Sequence, residues 1–137
     1  MITDKIYLVG FMAAGKTTLA RVLARRLDWR ALDIDELIEK REQLAVSEIF
    51  ARRGEPYFRA AERDVLLDQL SARNVVVATG GGTFVDPQNR AVINRDGVSV
   101  WRAMPHQVFV MVNFSRMDDI GRIGIPNSPD AVANELQ

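Results

Sequence analysis

The chain has 137 residues, 47% hydrophobic and 26% charged, a size and balance that fit one globular domain with a buried core. Eighteen Lys and Arg match eighteen Asp and Glu, so no bulk charge draws it to nucleic acid or to a membrane surface. Cysteine is absent, which excludes disulfides, thiolate metal sites, iron–sulfur clusters and a cysteine nucleophile, and the single histidine, His106, excludes any site that needs two.

Ile6-Tyr7-Leu8-Val9, stopped by Gly10, reads as a strand buried on both faces. Thr17 to Leu27 follows as a helix, with Leu19, Val22, Leu23 and Leu27 on one face. Residues 29–34 read as a second strand. Asp35 to Glu42 and Val46 to Arg53 read as short helices, with Ser47 as a candidate cap and Gly54 as a stop. Pro56 begins a longer helix to about Ala72, with Phe58, Ala61, Val65, Leu66 and Leu70 as its apolar stripe. Residues 74–79 form a third strand, ended by Gly80-Gly81-Gly82. Pro87 opens a helix to about Arg95, and Val98 to Trp101 is a fourth strand. Alternating strands and helices predict an α/β fold with a mostly parallel sheet. Beyond residue 102 the regularity fades: residues 108–112 suit a strand or a buried helix, and Ser128 to Leu136 suits a capped terminal helix. No apolar run approaches the ~20 residues of a membrane span. The first residues, Met-Ile-Thr-Asp-Lys, lack a signal pattern. A cytoplasmic monomer acting on small molecules is the expectation.

Gly10-Phe11-Met12-Ala13-Ala14-Gly15-Lys16-Thr17 matches G-x-x-x-x-G-K-[ST] between a predicted strand and a predicted helix. Small residues there let successive backbone N–H groups turn inward around phosphate oxygens, and the following helix points its positive end at the same anion. Lys16 would bridge the outer phosphates and the Thr17 hydroxyl would ligate Mg²⁺. A lysine here is informative, since the chain holds three Lys against fifteen Arg.

Asp33 and Asp35 stand at the end of the second strand, the edge where parallel sheets hold ligands. On extended backbone both would face one site, one for a metal-bound water and the other for a substrate hydroxyl. The plainer alternative is a helix cap followed by a first-turn acid. The three glycines fit a place where a polar ring lies against bare backbone, or a permissive turn. Arg59 carries a fork that can take a carboxylate by two parallel hydrogen bonds. His106, Trp101 and Phe109 read as structural, and Arg52-Arg53 as a solvated helix end.

Together, residues 10–18, Asp33-Ile-Asp35-Glu-Leu-Ile-Glu, the run from Ile49 to Arg59 and Ala78-Thr-Gly-Gly-Gly82 resemble the shikimate kinase family in order and spacing over about residues 4–101. The resemblance implies the three-layer phosphate-loop fold of nucleoside monophosphate kinases, with five parallel strands flanked by helices. It also implies transfer of the ATP γ-phosphoryl group to the 3-hydroxyl of shikimate, with Mg²⁺. On that basis Ala13, Ala14, Gly15, Lys16, Thr17 and Thr18 would bind ATP, and Thr17 and Asp33 would hold Mg²⁺. Asp35 would hold the accepting hydroxyls and act as general base. Arg59 would clamp the shikimate carboxylate, and Gly81 and Gly82 would offer backbone to the substrate.

The domain is thus read as a core over residues 1–101 and a shortened lid and C-terminal region over 102–137. Family members carry a mobile lid with an Arg-Pro segment and a second carboxylate-binding arginine after the fourth strand. Here no Arg-Pro pair occurs, and Asn113 or the neighbouring Arg116 stands where that arginine would be. Met117 to Ile125 resembles the entry to the last strand, about fifteen residues after Trp101. The sequence fits a lidless variant and equally a protein whose lid lies outside these residues. Two further readings stay open: a kinase for another polyol such as gluconate, and a weakly catalytic nucleotide-binding or regulatory relative.

Overall fold

A computed structural model of the chain describes residues 4–9, 16–80, 82–104 and 107–111. The strands are β1 (Lys5–Val9), β2 (Arg30–Asp33), β3 (Val75–Ala78), β4 (Val98–Met104) and β5 (Gln107–Met111). The helices are α1 (Lys16–Leu27), α2 (Ile34–Glu42), α3 (Val46–Arg53), α4 (Glu55–Asp68) and α5 (Pro87–Asp96), with a 3-10 turn at Thr83–Val85. The sheet order is β2-β3-β1-β4-β5. Strands β2, β3, β1 and β4 pair in parallel, as the α/β pattern predicts. Strand β5 runs antiparallel to β4 at the edge of this parallel sheet, and the fifth parallel strand implied near Met117 to Ile125 lies outside the described residues. Only Pro105 and His106 separate the two strands, whereas a parallel return needs a crossover of a dozen or more residues. The same strand settles the open choice for residues 108–112 over the part described. The expected terminal helix, Asn113, Arg116 and Met117 to Ile125 lie outside the described residues.

Side chains alternate across the sheet with period two. Ile6, Leu8, Val76, Ala78, Val98 and Val100 pack on Leu19, Ala20, Leu23 and Ala24 of α1. Tyr7, Val9, Val75 and Val77 face the other way, onto Ile34, Ile38, Ile49, Phe58, Val65, Leu66 and Ile93 from α2 to α5. Ala20 and Ala24 are buried in α1 while Val22 is 39% exposed, so the buried face is rotated from the one the spacing predicts. Leu70 lies past the end of α4, which closes at Asp68 rather than near Ala72.

The caps explain the helix bounds. Asp33 is the N-cap of α2, its Oδ1 accepting from the Glu36 N–H at 3.1 Å. Ser47 does not cap α3; Ala45 holds that position and the Val46 N–H donates to Glu39 Oε2 of α2 at 2.9 Å. A carboxylate from the preceding helix therefore replaces the local hydroxyl. Gly54, at φ 86°, makes the left-handed turn between α3 and α4 that a side chain would strain. Asp86 caps α5 through the N–H groups of Gln88 and Asn89. Arg53 is more than a solvated helix end: its Nη1 meets Glu42 Oε2 at 2.7 Å and the Tyr57 hydroxyl at 2.6 Å, tying α2, α3 and α4 together.

Strands β1 and β3 are neighbours whose chains leave toward opposite faces, through α1 and α5. Such a reversal opens a crevice at their C-terminal ends. The opposite end is closed by charge. Lys5, fully buried, pairs with Asp96 at 2.7 Å and donates to the Gln69 carbonyl. The Tyr7 hydroxyl donates to the same Asp96 oxygen at 2.6 Å. Burial works to raise the Asp96 pKa, but the bonds from Lys5 and Tyr7 outweigh it and hold the carboxyl below the usual range. Burial and that same bond push the Tyr7 phenol up. Among the described residues no helix is long and apolar enough to cross a membrane.

Candidate active site

A cleft of about 160 Å³ lies at the C-terminal ends of β2 and β3 and the start of α1. Lys16, Thr17 and Thr18 enter it from α1, Asp33 and Asp35 from the β2–α2 junction, and Thr79 and Gly80 from the end of β3. Thr79 is fixed to the central strand, its N–H and hydroxyl both donating to the Leu8 carbonyl at 2.9 Å. Thr18 is exposed at the rim, and Lys16 is buried at 5% exposure. Ala13, Ala14, Gly15 and Gly81 lie outside the described residues.

Asp33 caps α2 and also turns its second oxygen toward Thr17. One carboxylate oxygen caps α2, while Oδ2 accepts from the Thr17 hydroxyl at 2.5 Å. A hydroxyl beside a carboxylate, both hard oxygen donors, suits Mg²⁺. No group of three or more His, Asp or Glu that could hold a metal occurs among the described residues. A cation at this place would therefore take the rest of its shell from water and phosphate.

Asp35 reaches the cleft by a different route from the one expected. It does not share an extended backbone with Asp33, because the chain turns into α2 at Ile34 and Asp35 sits in the first helical turn. Its carboxyl still faces the Lys16 ammonium, and its Oδ1 is buried with no hydrogen-bond partner among the described residues. Burial first, then the charges of Asp33 and Glu62, push the Asp35 pKa up to about 6, with Lys16 opposing. Burial also lowers the Lys16 pKa, against the pull of Asp35 and Asp33.

The glycines make room for these side chains. A Cβ on Gly80 would stand 2.9 Å from Asp35 Oδ1 and 3.4 Å from Glu62 Oε2. A Cβ on Gly82 would stand 2.5 Å from both terminal nitrogens of Arg59. At these two positions the bare backbone lies against the protein's own Asp35 and Arg59. Arg59 extends from α4, where its Nε faces Glu55 at 3.4 Å and its Nη1 faces Glu62 at 3.2 Å. Asp35, Gly80, Glu62, Arg59 and Gly82 thus form one continuous wall.

Sequence reasoning passed over Glu62 and Thr83. Glu62 is 1% exposed and accepts from the Thr83 hydroxyl at 2.8 Å. The available signal was a carboxylate lodged in the stripe formed by Phe58, Ala61, Val65 and Leu66, three residues after Arg59.

A central β1 leading into a helix that opens with Lys16 and Thr17, with Asp33 at the end of β2 and Asp35 in the first turn of α2, defines the phosphate-loop class of α/β proteins. A family model described as Shikimate kinase matches residues 12–123. A shikimate kinase of Alkaliphilus oremlandii is 50% identical over 97 residues, covering 70% of this chain and 57% of that protein. One of Persephonella marina is 42% identical over 100 residues, covering 73% and 61%. The solved structure of the Acinetobacter baumannii shikimate kinase in complex with shikimate superposes with a TM-score of 0.72 at 32% identity. That match covers 98% of this chain and 74% of the other. The chain belongs to the shikimate kinase family. It spans about three fifths of the length of the curated relatives it matches.

Proposed function

We propose that the chain carries the core of a kinase that moves the γ-phosphoryl group of ATP onto the 3-hydroxyl of shikimate. The observation that supports this best is the buried Asp35 oxygen without a partner among the described residues, set beside Lys16 in a cleft that also holds Thr17 and Asp33. A buried acceptor left unmet calls for a donor, and a substrate hydroxyl supplies one. Asp35 then takes the hydroxyl proton as the new P–O bond forms and the bond to the leaving ADP oxygen breaks. Ala13, Ala14, Gly15 and Thr18 complete the nucleotide cradle, and Lys16 bridges the outer phosphates. Mg²⁺, held by Thr17 and through water by Asp33, would neutralise charge on the phosphates. Arg59 takes the substrate carboxylate, while Gly81 and Gly82 present backbone to the ring. Most of the rate would come from positioning and charge neutralisation.

The balanced charge supports a partner that is neither nucleic acid nor membrane, and a cytoplasmic monomer acting on small molecules is part of the same proposal. Residues 1–101 are read as the kinase core, with 102–137 in place of a full lid. Lids exclude water, so hydrolysis of ATP is the expected side reaction. A coupled ADP-release assay with shikimate, with gluconate and with no acceptor tests the reading. Shikimate should raise ADP release at least tenfold over either control. Equal stimulation by gluconate would favour a general polyol kinase, and nucleotide binding without acceptor-dependent turnover would leave only a nucleotide-binding relative.

A further inference from the structure

Arg59 is held on α4 by Glu55, which is exposed, and by Glu62, which is buried. Its Nη1 reaches the two carboxylate oxygens of Glu62 at 3.2 and 3.3 Å. Glu62 would swing if only one side of its carboxylate were met, because a buried charge is held by the donors around it. The donor on the other side is Thr83 Oγ1, 2.8 Å from Glu62 Oε2, and Thr83 is wholly buried. The Thr83 N–H already donates to the Gly80 carbonyl at 3.2 Å, so the turn itself does not need the hydroxyl. Gly82, one residue earlier, leaves the space in which the guanidinium lies.

We propose that Thr83 is a positioning residue: its hydroxyl fixes Glu62, and Glu62 presents the Arg59 guanidinium to the carboxylate of the substrate. The proposal rests on the reading of Arg59 as the carboxylate-binding group. Removing the hydroxyl leaves Glu62 Oε2 with only its 3.3 Å contact to Arg59 Nη1 among the described residues, so the carboxylate loses its anchor outside α4, Arg59 gains rotamers and carboxylate binding weakens. The nucleotide side of the cleft, built on α1, is untouched.

The test compares the wild-type chain with Thr83→Val, which keeps the volume, and Thr83→Ser, which keeps the hydroxyl. Binding is titrated with shikimate, with its analogue bearing an alcohol in place of the carboxylate, and with ATP. The Arg59 Nε–Hε resonance is followed in parallel. Thr83→Val should raise the Kd for shikimate about tenfold. The alcohol analogue and ATP should stay within about twofold, and Thr83→Ser should restore shikimate binding. The Arg59 resonance should shift or broaden in Thr83→Val alone. Equal losses for shikimate and the alcohol analogue, or no loss for either, would overturn the proposal. An unchanged Arg59 resonance would overturn it whatever the wild type binds. A wild type that ignores shikimate while the resonance responds would overturn the carboxylate reading instead. Thr83→Ala carries the same comparison if Thr83→Val does not fold.

Discussion

Asp35→Asn is expected to lower kcat for phosphoryl transfer to shikimate by about a thousandfold, with little change in ATP affinity. The amide keeps the shape of the side chain but cannot take the proton of the accepting hydroxyl. In the wild type, kcat/KM for the acceptor should fall as pH drops through about 6, where Asp35 becomes protonated. The same shift sets a stability effect of opposite sense. The folded-state pKa lies above that of the unfolded chain, so the folded protein binds more protons between about pH 4 and 6, and ionising Asp35 costs stability as pH rises. Asp35→Asn should therefore be more stable than wild type at pH 7, and the gain should vanish below about pH 4. Urea melts at pH 7 and pH 4 together with pH–rate profiles check both halves. An active Asp35→Asn enzyme would remove Asp35 from the chemistry.

Lys16→Ala is expected to reduce ADP formation by about a thousandfold and to weaken nucleotide binding as well. The ammonium is buried beside two aspartates, and among the described residues that line the cleft no other side chain carries positive charge. Its loss leaves Asp33 and Asp35 facing the phosphates without compensation, so phosphate repulsion adds to the lost bridge. The Asp35 pKa should also rise further, since Lys16 is the charge that holds it down. Nucleotide titration and steady-state rates measure the two effects. Activity equal to wild type would refute the phosphate-loop role of residues 10–17.

The parallel core was legible because β3 and most of β1 are apolar runs and most helices carry a cap or a stop in their sequence. Lys16, Thr17, Asp33 and Asp35 were legible as types at the correct strand ends. The route by which Asp35 reaches the cleft is the cap and first-turn alternative, not the shared extended backbone. Its position follows from the Asp33 cap, which starts α2 one residue earlier than the strand pattern implies. Ser47 misled because a distant acceptor, Glu39, took the capping bond, and local rules do not see across a helix pair. The triple glycine announced close approach but not of what: Asp35 and Arg59 come from elements 45 and 23 residues upstream of Gly80 and Gly82 respectively. Glu62 and Thr83 escaped notice because their link joins α4 to the turn after β3, a tertiary contact. The antiparallel β5 was hidden by the resemblance, which implied a longer connection than the chain provides at Pro105-His106.

Phosphorus NMR of the chain with Mg²⁺, ATP and shikimate separates transfer to shikimate from hydrolysis of ATP. A phosphate monoester signal should grow as the γ-phosphate signal falls, with inorganic phosphate a minor product. Inorganic phosphate alone, or ATP left intact in the presence of shikimate, would contradict transfer to shikimate.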